Sequence, residues 1–319
     1  MRVLVTGSNG FVGSALVARL LDVADIDVRG SVRRLSDDAN CRQREMVVGD
    51  LGPDTCWLSA LEGVEVVVHT AARVHRMRES PDVALRSNRR VNVEGTLNLA
   101  RQAMQARVRR FVFLSSIKVN GEKTEKGRPF TEADDADPVD PYGMSKLEAE
   151  QGLMEICARG GMDYVILRPV LVYGQGVSAN FEALMRLVYR GIPLPLAGIA
   201  NRRSMIGLEN LIEMIIACIR SPAAANNVFL AADGDDLSTT EIATKLGEAL
   251  RRPARLFYLP DPMLRAAATL IGRRAHAERL LDSLQADVTK AKTVLRWRPR
   301  LTVDQGFCNA AAGFLESRR

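Results

Sequence analysis

The chain has 319 residues, of which 47% are apolar and 26% charged, with a formal net charge of +6. This is the make-up of an ordinary globular protein, long enough for one large domain or two tightly joined ones. Five scattered cysteines and three histidines without ligand spacing argue against a disulfide framework or a structural zinc, so no bound metal is expected.

The positive charge is spread along the chain. Its densest groups, Arg107/Arg109/Arg110, Arg251/Arg252/Arg255 and Arg296/Arg298/Arg300, are not interleaved with aromatics as a base-stacking surface would be. Each reads as a solvated basic face, and no nucleic-acid partner is expected. The N-terminal run reaches Gly7 before a signal-length apolar region forms, and later apolar stretches are broken by charge well short of a membrane span. A cytoplasmic protein without a membrane partner is expected.

Short apolar or β-branched runs at 3–5, 28–32, 46–48, 64–68, 111–114 and 165–167 predict strands. Between several of them lie stretches with helical spacing, clearest at 11–21 and 91–104. Strand alternating with helix predicts an α/β fold, a Rossmann-type doubly wound parallel sheet. Residues 189–199, with Gly191, Pro193, Pro195 and Gly198, read as a loop. A helix is expected at 208–219, a buried strand at 228–230, and helices at 238–251, 263–284 and 303–315, the first opened by a Ser238/Glu241 capping box. The expected division is a dinucleotide-binding domain over 1–170, to which 208–235 returns, and a smaller, mostly helical substrate-binding region over 171–207 and 236–319.

Directly after the first strand run comes Thr6-Gly7-Ser8-Asn9-Gly10-Phe11-Val12-Gly13, and a helical pattern starts at once. A dinucleotide pyrophosphate needs a tight turn, a close backbone and free N–H groups at a helix N-terminus. Gly7 and Gly10 can supply the first two, and Gly13 lets the helix pack on the strand. The second strand ends in Val32-Arg33-Arg34, with no acid to bond ribose hydroxyls. Arg33 can pair with a 2′-phosphate, which favours NADP(H). NAD(H) stays open, with Asp37 or Asp38 as the ribose partner. Asp50 and Leu51 follow the third strand, where Asp50 could bond the adenine. Thr70, Ala71 and Ala72 follow the fourth and leave room for the cofactor.

Tyr142-Gly143-Met144-Ser145-Lys146 begins just after Pro141, at an expected helix start. Residues i and i+4 share a helix face, so both polar ends can point into one site. A nearby ammonium is expected to lower the phenol's pKa and fit Tyr142 for proton exchange with the substrate. Ser116, which closes the fifth strand about 25 residues upstream, could hold the substrate oxygen.

These motifs resemble the extended short-chain dehydrogenases/reductases of the NAD-dependent epimerase/dehydratase family. TGSNGFVG (6–13), GDL (49–51), HTAA (69–72), VNVEGT (91–96), SSIKVNG (115–121), PYGMSK (141–146) and LRPVLVYG (167–174) stand in the family's order over most of the first 180 residues. The resemblance implies a nicotinamide dinucleotide held by Gly7, Asn9, Gly10, Phe11, Val12, Gly13, Arg33, Asp50, Leu51, Thr70, Ala71, Ala72, Asn92, Tyr142, Lys146 and Pro169. Asn92 would steady the active-site helix, and Lys146 would also bond the nicotinamide ribose. Ser116, Lys118, Asn180 and Arg203 would meet a sugar nucleotide, the last two at its diphosphate. Arg73, His75 and Arg76 could line the same site. A homodimer is also implied, through the helix at 91–104 and the one starting at Tyr142, provided their outer faces are apolar.

Dehydratases resemble one another in an Asp-Glu pair after the active-site hydroxyl, whereas Ile117-Lys118 follow Ser116 here. The wording around SSIKVNGE, NFEALMRLV and SLQADVTKAK is similar to bacterial surface-polysaccharide enzymes. Together with Arg33, it points to 4-ketoreduction of a UDP-4-keto-6-deoxy-N-acetylhexosamine, with a UDP-hexose 4-epimerase as the alternative. A dinucleotide-sensing regulator without catalysis is a third reading. Such modules tend to lose the Tyr or Lys, and both are present.

Overall fold

The computed structural model describes residues 1–36, 44–74, 79–125, 127–270 and 274–318. In chain order, β1 (Arg2–Thr6) leads into α1 (Phe11–Leu21), β2 (Asp27–Val32), β3 (Glu45–Val47), a short α2 (Leu58–Leu61) and β4 (Val66–His69). Then come α3 (Pro81–Asn88), a π-helical stretch (Arg89–Gly95), α4 (Thr96–Gln105), β5 (Arg110–Leu114), α5 (Pro141–Gly160) and β6 (Asp163–Pro169). The chain continues through β7 (Leu171–Tyr173), α6 (Ala179–Tyr189), β8 (Leu194–Ala197), β9 (Met205–Gly207), α7 (Leu208–Arg220) and β10 (Asn227–Ala231). It closes with α8 (Thr239–Ala249), β11 (Leu256–Tyr258), α9 (Asp261–Leu270), α10 (Arg274–Leu281), α11 (Thr289–Val294) and α12 (Val303–Glu316).

Seven parallel strands form the main sheet in the order β10-β6-β5-β4-β1-β2-β3. The period of two along each strand divides its side chains between two cores. Val3, Val5, Val66, Val68, Val112, Val165 and Leu167 face α1 and α7. Leu4, Val67, Phe111, Phe113 and Ile166 face α4 and α5. Burial on both faces explains why these strands read as unbroken apolar runs. The strand order reverses between β1 and β4, which opens a crevice at their carboxyl ends, where ligands bind in open α/β sheets.

A third core joins α6, β8, α8 and α12 around Tyr173, Phe181 and Phe307. Here the structure departs from the sequence reading. Residues 189–199 are not all loop: Leu194–Ala197 forms β8, which pairs in parallel with β11. Local Pro and Gly content carries no information about a partner strand some 60 residues away. The helix expected at 91–104 begins in a π-helical stretch and becomes α-helical only at Thr96. The span 263–284 holds two helices, α9 and α10, and α6 was not anticipated. Arg110 is not a solvated basic residue. It is buried, and its guanidinium donates to the carbonyls of Cys218 and Ser221, both at 2.7 Å, at the C-terminal end of α7. Among the described residues no helix is long and apolar enough to cross a membrane, and no cluster of His, Cys, Asp and Glu could hold a metal.

Candidate active site

The glycine turn bends where a side chain could not follow. Gly7 has φ +66°, and a Cβ there would lie 2.9 Å from the backbone of Ala71. A Cβ on Gly13 would lie 2.1 Å from the Gly7 carbonyl oxygen, so α1 presses directly on the turn. The Gly10 N–H donates to the Gly7 carbonyl at 2.9 Å. Gly10 also caps α1 without a side-chain bond, and no acid stands in the first turn. The helix thus presents free N–H groups and its positive end at the crevice, as a pyrophosphate requires. This cradle fits a dinucleotide.

Overpacking at such a contact costs about 1–3 kcal/mol. Gly13→Ala is expected to lower the thermal midpoint and dinucleotide affinity together, read by scanning calorimetry and titration calorimetry. Gly52→Ala is the control, since nothing lies within 4 Å of a Cβ there.

The other expected cofactor contacts lie at or just beyond strand ends along the carboxyl edge of the sheet. The Thr70 hydroxyl donates to the Thr6 carbonyl at 2.6 Å, and the Ala71 N–H donates to the Thr6 hydroxyl at 3.3 Å. This puts Thr70-Ala71-Ala72 against the first turn. Arg33 and Asp50, at the ends of β2 and β3, stand 3.7 Å apart with both side chains largely exposed. An exposed pair of this kind contributes little and leaves Arg33 free to turn to a ligand. Leu51 packs under Gly95, where a Cβ would meet it at 2.9 Å. Pro169 is buried at the end of β6. Asp37, Asp38, His75 and Arg76 lie outside the described residues.

His69, at the end of β4, is fully buried. Nδ1 is hydrogen-bonded to the Thr6 hydroxyl at 2.6 Å and Nε2 to the Thr96 hydroxyl at 2.9 Å, and the ring stacks on Phe113. Burial, with the nearby Lys146 charge, pulls its pKa from 6.5 to about 3. The folded protein therefore refuses a proton that the unfolded chain accepts below about 6.5. Stability is complete above that pH and is lost as pH falls towards about 3. Between about pH 7 and 4.5 this amounts to about 2–3 kcal/mol. Urea midpoints of His69→Gln should fall less steeply over that window than those of the parent.

Helix α5 brings Tyr142 and Lys146 to one face. Asp140 caps it, accepting from the Gly143 N–H at 2.7 Å, Pro141 occupies the first turn, and Gly161 ends it in the left-handed region. Lys146 is buried. It donates to the Leu114 carbonyl at 2.8 Å and lies 4.5 Å from the Phe113 ring centre and 5.8 Å from that of Tyr142. Burial lowers its pKa to about 7, against the pull of Glu150. The phenol of Tyr142 moves opposite to the sequence expectation. Burial and the Asp140 carboxylate raise its pKa. The phenol of Tyr142 is thus held in its protonated form. Ser116 follows β5 and opens the turn at Ile117–Val119, its hydroxyl accepting from the Lys118 N–H at 3.3 Å. Asn92 ties the frame together. Its amide donates at 3.0 Å to both the Ser145 hydroxyl and the Arg73 carbonyl, and its own oxygen accepts from the Arg73 N–H at 2.7 Å.

A buried network behind this face was not read from the sequence. Glu150, one turn after Lys146, accepts from Arg168 at 2.6 Å and 3.0 Å and from the Ser115 hydroxyl. Arg168 also donates to Asn120 at 3.0 Å. The network fixes α5, β6 and the loop carrying Ser116 against one another. The spacing of Lys146 and Glu150, four residues on one helix face, was the available signal.

The expected substrate contacts are less concentrated. Lys118 is not a free cation: it is paired with Glu122 at 2.6 Å and with Asp140. Arg73 is likewise engaged by Glu79. Asn180 is exposed on the first turn of α6. Arg203 donates to the Asp282 carbonyl at 3.0 Å, and burial lowers its pKa despite the Asp282 and Glu122 carboxylates. A groove of 1010 Å³ opens beside Glu122, with Arg128, Phe130, Arg265, Arg279 and Asp282 on its walls. The outer positions Arg90, Glu94 and Arg101 before and along α4, and Gln151 and Glu155 on α5, are exposed and polar.

The model of the NAD dependent epimerase/dehydratase family matches residues 3–232. The chain belongs to this family. As a member of the NAD dependent epimerase/dehydratase family, it is 43% identical over 316 residues to the UDP-glucose 4-epimerase of Vibrio cholerae, covering 99% of this chain and 96% of that one. Among solved structures, MoeE5 in complex with UDP-glucose and NAD matches with a TM-score of 0.80 at 25% identity, over 100% of both chains. The UDP-glucuronic acid 4-epimerase of Bacillus cereus in complex with NAD has a TM-score of 0.80 over 100% of both chains, and at 20% identity shares the fold. The doubly wound sheet and the family expected from the motifs are those observed.

Proposed function

We propose that the chain is a UDP-sugar 4-epimerase that works through Ser116, Tyr142 and Lys146. The observation that carries this reading is the 43% identity, over nearly the whole chain, to a UDP-glucose 4-epimerase. A nicotinamide bound in the crevice supplies a hydride acceptor and donor. Gly7, Asn9, Gly10, Phe11, Val12 and Gly13 would hold its pyrophosphate, Asp50 and Leu51 its adenine, and Thr70, Ala71, Ala72, Asn92 and Pro169 its inner half. Ser116 orients the sugar hydroxyl at C4, and Tyr142 exchanges a proton with that oxygen. Lys146, fixed by the Leu114 carbonyl, stands where it can bond the nicotinamide ribose. The second lobe, 171–207 and 236–319, is the proposed seat of the UDP-sugar, with Asn180 and Arg203 towards its diphosphate.

One observation favours a second reading, 4-ketoreduction of a UDP-4-keto-6-deoxy-N-acetylhexosamine with NADPH. The end of β2 carries Arg33 in place of an acid. The balance differs from that drawn from the motifs alone, because the curated relative weighs towards epimerisation. Incubation with UDP-glucose or UDP-N-acetylglucosamine and NAD, followed by separation of the C4 epimers, tests the first reading. Epimer formation without net cofactor change supports it. Net NADPH oxidation by the 4-keto sugar nucleotide, without epimer formation, overturns it in favour of the reductase.

A further inference from the structure

Lys118 joins the two pieces of chain that carry the Ser116 and Tyr142 hydroxyls. Its backbone belongs to the turn after Ser116, and its N–H donates to the Ser116 hydroxyl at 3.3 Å. That turn lies directly on the first turn of α5, since a Cβ on Gly143 would come within 2.8 Å of the Lys118 carbonyl oxygen. The Asp137 N–H donates to the Val119 carbonyl at 3.0 Å and closes the loop back on the same turn. The Lys118 side chain then reaches Asp140, the capping residue of α5, two positions before Tyr142.

The Asp140 carboxylate is engaged at both oxygens. Oδ1 accepts from the Gly143 N–H at 2.7 Å and Oδ2 from the Lys118 ammonium. Burial would raise the Asp140 pKa, and the bonds from Lys118 and the Gly143 N–H more than offset it. The side chains of Lys118 and Asp140 are only 29% and 25% exposed, so water screens this pair less than one on the open surface. On its other side the ammonium meets Glu122 at 2.6 Å, and Glu122 faces Arg279 of α10 at 3.9 Å. Four charges thus alternate in sign from the cap of α5 to the second lobe. An ammonium held between two carboxylates is poorly placed to serve a ligand, which was the part the motifs gave to Lys118. Its effect falls on Asp140 instead, the carboxylate whose charge opposes the Tyr142 phenolate.

We propose that Lys118 is a positioning residue for the acid–base step: by holding and neutralising the Asp140 carboxylate, it keeps the start of α5 seated on the Ser116 turn and Tyr142 fit to exchange its proton. The proposal rests on the reading of Ser116, Tyr142 and Lys146 as the site of a UDP-sugar enzyme. It holds for epimerisation and ketoreduction alike, because Tyr142 exchanges a proton with the C4 oxygen in both.

The test is steady-state turnover of the full chain, by C4 epimer formation from UDP-glucose or UDP-N-acetylglucosamine with NAD and by NADPH oxidation with the 4-keto sugar nucleotide. Lys118→Met is expected to lower kcat about tenfold, the effect of one pKa unit at the phenol, with KM for the sugar nucleotide within about twofold of the parent's. Lys118→Arg keeps the cation and should retain most of kcat. In Lys118→Met/Asp140→Asn the Asn still caps the helix and the charge is gone, so most of the lost kcat should return. Lys118→Gln, which keeps a polar side chain without the charge, should lose kcat as the Met variant does, and it serves if that variant fails to fold. The proposal is overturned if kcat is unchanged in the Met and Gln variants, or if KM rises in place of the fall in kcat. It is also overturned if the double variant is no faster than the single, which would put Lys118 on the substrate itself. A parent that turns over none of these sugar nucleotides defeats the functional reading and the proposal with it. An active parent whose variants depart from this order defeats the proposal alone.

Discussion

Replacing Arg168 by Met should destabilise the protein by about 3–5 kcal/mol, because it strips the partner from a buried charge. Glu150 is 1% exposed, and Arg168 meets both of its carboxylate oxygens as well as Asn120. Without the guanidinium, Glu150 must either keep an uncompensated charge or take up a proton. Both outcomes loosen the Ser115 contact and, through it, the loop that carries Ser116. Urea unfolding at about neutral pH measures the loss. The double variant Glu150→Met/Arg168→Met should recover part of it, since a buried pair exchanged for apolar groups of similar volume is often close to neutral. Equal destabilisation of the single and double variants would show that shape, and not charge pairing, holds α5 against β6.

Tyr142→Phe should reduce turnover of the sugar nucleotide by about 10²–10⁴-fold, the range ordinary for a general acid or base. The ring would remain, so its place 5.8 Å from the Lys146 ammonium and the packing of α5 should persist. Dinucleotide affinity and thermal midpoint should therefore stay near the parent's, while kcat falls. Stopped-flow measurement of hydride transfer in a single turnover separates this from slow product release. A variant that kept full turnover would remove Tyr142 from the chemistry. Lys146→Met should act differently. It removes both the cation beside the phenol and the bond to the Leu114 carbonyl, so cofactor affinity and turnover should fall together.

Much of the site was legible along the chain because its parts are local. The turn between β1 and α1 needs glycines at three positions for reasons of backbone conformation and close approach, and those needs act within eight residues. Tyr142 and Lys146 share a face through helix periodicity alone. The alternating cores on the two sides of the sheet follow from apolar runs at successive strands.

What failed was non-local. The β8–β11 pair joins segments about 60 residues apart, and Pro and Gly content pointed the other way. The pKa of Tyr142 was misjudged because the spacing shows which charge is near but not how much water is left. Desolvation, the largest cause, adds to the neighbouring Asp140 charge, and the sequence does not display burial.

The sequence by itself determined that the chain forms a doubly wound sheet with a glycine-rich phosphate turn and a Ser-Tyr-Lys set, since each rests on short-range sterics and periodicity. Only the tertiary structure decided the rest. It set Glu150 between Ser115 and Arg168, paired Lys118 with Glu122 and Asp140, and buried Arg110. Each depends on which surfaces lose water when distant segments meet, and burial, unlike spacing, is a property of the whole packed chain.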